Sequence, residues 1–138
     1  VPPARLVDIY RETVPRLSAY GANCGVGAAD LVGTILSMRE HADPADVLVA
    51  KANCGIPQFI DGEIQYSGTP ELMAEYARLS RDTGARIIGG CCGTTPEHIS
   101  AMVAALASRE RRELDPEAML QALGKPWKAK RTKRRYFF

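Results

Sequence analysis

Short apolar runs that end in glycine-bounded turns recur along the chain, at residues 17–24 (LSAYGANC), 47–54 (VLVAKANC) and 85–92 (ARIIGGCC). Each precedes a stretch with helical periodicity. Runs of this length between helices predict buried parallel strands joined by crossover helices. Two of the helices announce their own starts. Thr69-Pro70-Glu71 opens a run in which Leu72, Met73, Tyr76, Ala77 and Leu79 share one face, and Thr95-Pro96-Glu97 opens another carrying Ile99, Met102, Val103 and Leu106. Threonine caps free N–H groups, proline is tolerated in the first turn, and glutamate suits the positive end of the helix dipole. Further helices are predicted over residues 3–14, 28–38 and 115–123, the last stopped by Gly124.

The pattern repeats. Ala-Asn-Cys-Gly occurs at 22–25 and again at 52–55, 30 residues apart, and the two Thr-Pro-Glu starts are separated by 26. A unit of about 30 residues is one step of a (β/α)8 barrel, which takes about 250 residues in all. The predicted fold class is therefore α/β: the C-terminal part of a (β/α)8 barrel, about three βα units with parallel strands. A small open three-layer sheet is the alternative. Three parallel strands leave two bare edges, so self-association and a need for a separate N-terminal barrel portion are both expected.

Composition narrows the class without naming an activity. Of 138 residues, 46% are apolar and 25% charged, which excludes a disordered chain. No run approaches the roughly 18 apolar residues of a membrane-spanning helix. Charge divides the chain: residues 1–124 carry a net −5, whereas residues 125–138 hold seven cations and no acid. The division predicts a barrel portion over 1–124 and a basic tail over 125–138. The tail's Trp127, Tyr136, Phe137 and Phe138 are expected to pack on another subunit or on the barrel. An acidic body is not a nucleic-acid surface, and neither nucleic acid nor membrane is an expected partner.

The chemistry sits at the strand ends, where α/β folds keep their working groups. Cys24, Cys54, Cys91 and Cys92 all fall there, on one predicted rim. Four cysteines without disulfide-framework spacing suggest free thiols in a reducing, cytoplasmic setting. Two adjacent thiols among three glycines, Gly89-Gly90-Cys91-Cys92-Gly93, make poor core filler. They suggest either a thiolate zinc site or a vicinal-thiol redox pair. Cys54 reads as a small buried hydrophobe. His41 and His98 read as surface or helix-start residues.

Three segments carry a specific resemblance: Gly21-Ala22-Asn23-Cys24-Gly25, then Lys51-Ala52-Asn53 through Gly55-Ile56-Pro57, then residues 89–99 (GGCCGTTPEHI). In order and spacing, over roughly residues 5–107, they resemble the homocysteine S-methyltransferase family. The resemblance implies a (β/α)8 barrel in which Cys24, Cys91 and Cys92 bind Zn2+. It implies an enzyme that moves a methyl group to the thiol of homocysteine, forming methionine. The donor, whether betaine, a sulfonium or a methylcorrinoid, is left open. Asn23, Gly89 and Gly90 flank the implied ligands and are expected to shape their turns, with Asn23 orienting the turn at Cys24. Cys54 departs from the family pattern. Groups that hold the amino-acid end of homocysteine are expected on earlier strands, so the isolated chain is expected to be inactive. The rival reading is a non-catalytic zinc-storing or redox-active thiol module, or a structural barrel half.

Overall fold

The computed structural model describes residues 1–14 and 17–125. The expectations for Trp127 and for Tyr136, Phe137 and Phe138 of the tail lie outside the described residues.

Three parallel strands, β1 (Ala19–Cys24), β2 (Val47–Ala52) and β5 (Ala85–Gly90), form one sheet in the order β1-β2-β5. The helices α1 (Pro3–Thr13), α2 (Ala28–Arg39), α3 (Pro70–Asp82), α4 (Pro96–Ala107) and α5 (Pro116–Leu123) alternate with the strands or follow them. Local chemistry explains their starts. The Thr69 hydroxyl oxygen accepts the Leu72 N–H at 3.2 Å, and the Asp115 carboxylate accepts the Glu117 N–H at 2.9 Å.

Strand alternation then sorts the sheet's two faces. Leu48, Ala50 and Ala52 of β2 are buried under α2 and α3, together with Val32, Ile35, Met73 and Tyr76. On the opposite face Asn23, Lys51 and Ile87 stay exposed, Ile87 by 50%. Parallel sheets are ordinarily covered on both faces or closed into a barrel. With helices on one face and both edges open, this sheet is a partial, unclosed barrel-like core. The three-layer alternative is not what the described residues form.

Tyr76, fully buried, ties the core to the site end of the sheet. Its hydroxyl accepts the Ala52 N–H at 3.1 Å and donates to the Gly89 carbonyl at 3.3 Å. Below the sheet, Asp82 at the end of α3 is buried against Arg109, which reaches both carboxylate oxygens at 2.6 and 3.0 Å. The Arg112 N–H adds a third bond at 2.9 Å.

Two features depart from the expectations. Between β2 and α3 lies an antiparallel hairpin, β3 (Pro57–Ile60) and β4 (Glu63–Tyr66), that the apolar pattern did not predict. Its turn is Asp61-Gly62, both at positive φ (51° and 84°), the two-residue Asp-Gly turn that suits strand twist. The second is the apolar face assigned to α4. Met102 is buried and Leu106 packs on the core, but Ile99 and Val103 are exposed, Val103 by 62%. The helix docks on α3, and no described element covers its Ile99–Val103 stripe.

Candidate metal centre

The register carries the three cysteines to one place. Cys24 ends β1 opposite Ala52, and Ala52 lies opposite Gly90 at the end of β5. Two strand spacings, about 9.6 Å, separate these outer strands. The gap is closed because both chains leave their strands toward each other over the small Ala52. The Cys91 N–H donates to the Ala52 carbonyl at 2.7 Å, and the Cys54 N–H donates to the Cys92 carbonyl at 2.9 Å, which folds the Cys91–Cys92 turn across the end of β2.

Cys24 takes φ +65°, a left-handed conformation rarely adopted by a residue with a Cβ. Asn53 holds that turn: its Nδ2 donates to the Gly25 carbonyl at 2.6 Å. Asn53 is buried, and its Oδ1 has no hydrogen-bond partner.

The result is a cluster of three sulfurs, Cys24, Cys91 and Cys92, all within 4.8 Å of one another. Cys24 Sγ lies 3.8 Å from Cys92 Sγ, and Cys91 Sγ lies 3.9 Å from Cys92 Sγ. Zinc–thiolate bonds of about 2.3 Å in tetrahedral geometry place sulfurs about 3.8 Å apart. The spacing and the donor type both fit a metal ion, and the cluster is geometrically compatible with coordination.

Electrostatics across the cluster are uneven. Burial opposes charge on Cys91, but hydrogen bonds from Cys24, Cys92 and the Asn23 side chain outweigh it and hold the thiol below its ordinary range. At Cys92 the Tyr66 hydroxyl favours the thiolate. Hydrogen bonding from Cys24 and Cys91, the charge of Cys24 and burial oppose it, and the net direction is upward.

The remaining sequence candidates fall as follows. Asn23 is exposed, while the Asn53 side chain bonds the Gly25 carbonyl just after Cys24. Gly90 is sterically required, since a Cβ there would come within 2.2 Å of Thr94 Oγ1 as the turn folds back. Gly89 has ordinary room for a Cβ, 3.7 Å from the Lys51 side chain, and contributes its carbonyl to Tyr76. Cys54 is not on the rim. It is 1% exposed, and its thiol donates to the Gly68 carbonyl at 3.1 Å, because the chain after β2 turns down at Gly55 and packs on Gly68. Burial raises the Cys54 thiol out of its usual range, as suits a packed, uncharged sulfur.

His41 sits at the surface, 3.1 Å from Asp8. His98 is a helix-start residue but a buried one. Its Nδ1 accepts the Thr95 N–H at 3.1 Å, and its Nε2 meets the Gly68 carbonyl at 3.2 Å. Sequence reasoning assigned no role to Asn53 or Tyr66. The Ala-Asn-Cys-Gly repeat at 22–25 and 52–55 was the available signal for Asn53, and the Asp-Gly turn was the signal for the hairpin that carries Tyr66.

Among the described residues no helix is long and apolar enough to cross a membrane. The four cysteines are free thiols.

The chain is 35% identical over 95 residues to a methionine synthase of Mycobacterium tuberculosis, covering 67% of this chain and 8% of that protein. It is 35% identical over 89 residues to the methionine synthase of Mycobacterium leprae, covering 63% and 7% respectively. It is 29% identical over 143 residues to betaine–homocysteine S-methyltransferase 1 of Xenopus tropicalis, covering 87% of this chain and 35% of that protein. The chain thus spans less than a tenth of the two synthases and about a third of the betaine enzyme. Residues 2–106, which include every described strand and all four cysteines, match the family model for homocysteine S-methyltransferase. A three-strand parallel core with its thiols gathered at the strand ends, matched over that whole stretch, places the chain in the homocysteine S-methyltransferase family.

Proposed function

We propose that this chain is the zinc-bearing portion of an enzyme that methylates the thiol of homocysteine to form methionine. The observation that carries the reading is the triangle of Cys24, Cys91 and Cys92 sulfurs at the strand ends, with edges of 3.8 and 3.9 Å along Cys92. Zinc bound there would take up the homocysteine sulfur as a thiolate and keep it charged at neutral pH, where a free thiol is mostly protonated.

The chain's own residues set the character of that centre. Three cysteine thiolates carry −3 against +2 for the ion, so the site is net anionic. An additional sulfur held there keeps its electron density and stays nucleophilic toward a methyl carbon. Neutral histidine ligands would withdraw more density, and His41 and His98 are occupied elsewhere. No general base is needed beside the cluster in this reading, since coordination would acidify the incoming thiol enough for its proton to pass to water.

In this reading the sheet is three-eighths of a (β/α)8 barrel spanning residues 1–124. Strands from outside these three would pair with β1 and β5, cover the exposed Ile87, and supply the grip on the amino-acid end of homocysteine. A neighbouring helix would cover Ile99 and Val103. Of these relatives one carries a methyl donor, betaine, in its name and the two methionine synthases carry none, so betaine, a sulfonium and a methylcorrinoid all stay within the proposal. Four free thiols support a reducing, cytoplasmic setting.

The test is methionine production from homocysteine with each of the three donor types. The 138-residue chain alone is expected to give none. Joined by the remaining barrel strands, fused or in trans, it is expected to gain turnover that a chelator abolishes. Turnover that survives the chelator and Cys92→Ala contradicts the proposal.

A further inference from the structure

We propose that His98 is a positioning residue for the metal centre, holding the Cys91–Cys92 turn through a line of hydrogen bonds that crosses Gly68 and Cys54. This inference rests on the reading of Cys24, Cys91 and Cys92 as zinc ligands.

The line can be followed bond by bond. His98 Nε2 lies 3.2 Å from the Gly68 carbonyl oxygen. The Gly68 N–H donates to the Cys54 carbonyl at 3.0 Å, and the Cys54 N–H donates to the Cys92 carbonyl at 2.9 Å. The other ring nitrogen sets the direction at its histidine end. A backbone N–H only donates, so Nδ1, 3.1 Å from the Thr95 nitrogen, accepts there. The neutral ring then carries its hydrogen on Nε2 and gives it to Gly68. With both nitrogens committed, His98 supports the cluster without being a ligand.

The line closes a ring with the backbone. Cys92 and His98 are six residues apart, where the chain leaves β5 and enters α4. The segment is therefore held at both ends, by the Cys92 carbonyl at one and by the imidazole in the first turn of α4 at the other. Between them the Thr94 N–H donates to the Cys91 carbonyl at 3.2 Å. Gly68, the crossing point, has no slack, since a Cβ there would lie 2.5 Å from the Cys54 carbonyl carbon. Its carbonyl also accepts the Cys54 thiol at 3.1 Å. Cys54 and His98 are both buried, so water does not compete for these bonds.

This bracing falls where the cluster needs it. Cys91 and Cys92 supply two of the three sulfurs from a single turn, and the next residue, Gly93, sits at φ +75° with no side chain to stiffen it. A metal site is tight only when its ligands are placed before the ion arrives. The Cys54 and His98 side chains, outside the cluster themselves, gain a role in that placement.

The test uses the 138-residue chain loaded with Co2+ and then titrated with Zn2+ against a competing chelator. His98→Asn keeps an acceptor for the Thr95 N–H but is too short to reach Gly68. Its cobalt d–d bands, which report tetrahedral geometry, should weaken while the far-UV circular dichroism stays unchanged. Its zinc affinity should fall about tenfold, the lower end of what outer partners of metal ligands contribute. His98→Gln can cap with its amide oxygen and donate to Gly68 with its amide nitrogen, and it should restore both readouts. Asp82→Ala, which weakens the fold at the far end of the sheet, should leave the cobalt bands in place. Nitrogen NMR of the wild-type ring needs no variant and should find the hydrogen on Nε2, exchanging slowly with water. Wild-type bands and affinity in His98→Asn overturn this inference alone. So do a His98→Gln chain that behaves like His98→Asn, an equal band change in Asp82→Ala, and a neutral wild-type ring with its hydrogen on Nδ1. A wild-type chain that takes up no Co2+ overturns the zinc reading and this inference with it.

Discussion

Replacing Cys91 with alanine is expected to reduce zinc affinity on the order of a thousandfold. Structural zinc sites gain about 10–16 kcal/mol from their full ligand set, so one of three thiolates accounts for about 3–5 kcal/mol. The loss has no local remedy. The fourth cysteine, Cys54, is buried beneath the rim with its thiol committed to Gly68, and the turn at Gly55 keeps it there. Cys24→Ala and Cys92→Ala should behave alike. Cys54→Ala should keep one zinc per chain, losing instead about 1–2 kcal/mol of stability as a small cavity and a missing hydrogen bond. The measurement is zinc retained per chain after dialysis against a chelator of graded strength. Full retention by Cys91→Ala would mean that the metal, if held, is held elsewhere.

The second large effect lies at the far end of the sheet. Asp82→Ala is expected to cost about 3 kcal/mol, the low end of the roughly 3–5 kcal/mol for removing one partner of a buried ion pair. The low end applies because Arg109 keeps 20% of its side-chain surface in water, whereas Asp82 keeps 4%. For a chain of this size that lowers the melting temperature by roughly 10 °C. Burial opposes charge on Asp82, but Arg109 and the Arg112 N–H outweigh it and hold the carboxyl below its usual 3.8. A depressed carboxyl stabilises the fold at every pH above its unfolded value, and that contribution is lost as pH falls through its folded value. The stability gap between wild type and Asp82→Ala should therefore be constant from pH 6 to 8 (roughly) and shrink below about pH 4. Equilibrium denaturation at several pH values measures it. A gap that widens in acid would contradict the assignment of Asp82 as the ionised partner.

What was legible in the sequence, and what was not, follows from the kind of signal each element leaves. The three parallel strands were readable because burial under helices demands short apolar runs, and each run ends in a turn. Thr69 and Thr95 located α3 and α4 because a helix start is a local chemical event. The hairpin escaped because its residues face water, so it carries no apolar run; its evidence was the two-residue Asp61-Gly62 turn. Periodicity placed Ile99 and Val103 on an apolar face of α4 but says nothing about which neighbour covers that face. Here only Met102, Ala105 and Leu106 find one. Cys54 occupies a strand end just as Cys24 does, and nothing local separates them. The difference lies in a residue fourteen positions away, Gly68, whose carbonyl draws the thiol inward. His98 was recognised as a helix-start residue, yet its burial depends on that same carbonyl. Pairing between distant segments, rather than local pattern, decided each of these.

The central claim is that Cys24, Cys91 and Cys92 together hold one zinc ion with room for another sulfur. Zinc K-edge X-ray absorption on the reduced, zinc-loaded chain tests it most directly. The account predicts three sulfur scatterers at about 2.3 Å and one oxygen or nitrogen scatterer at about 2.0–2.2 Å. A shell of four sulfurs without added thiol, or a shell dominated by nitrogen and oxygen, would contradict it.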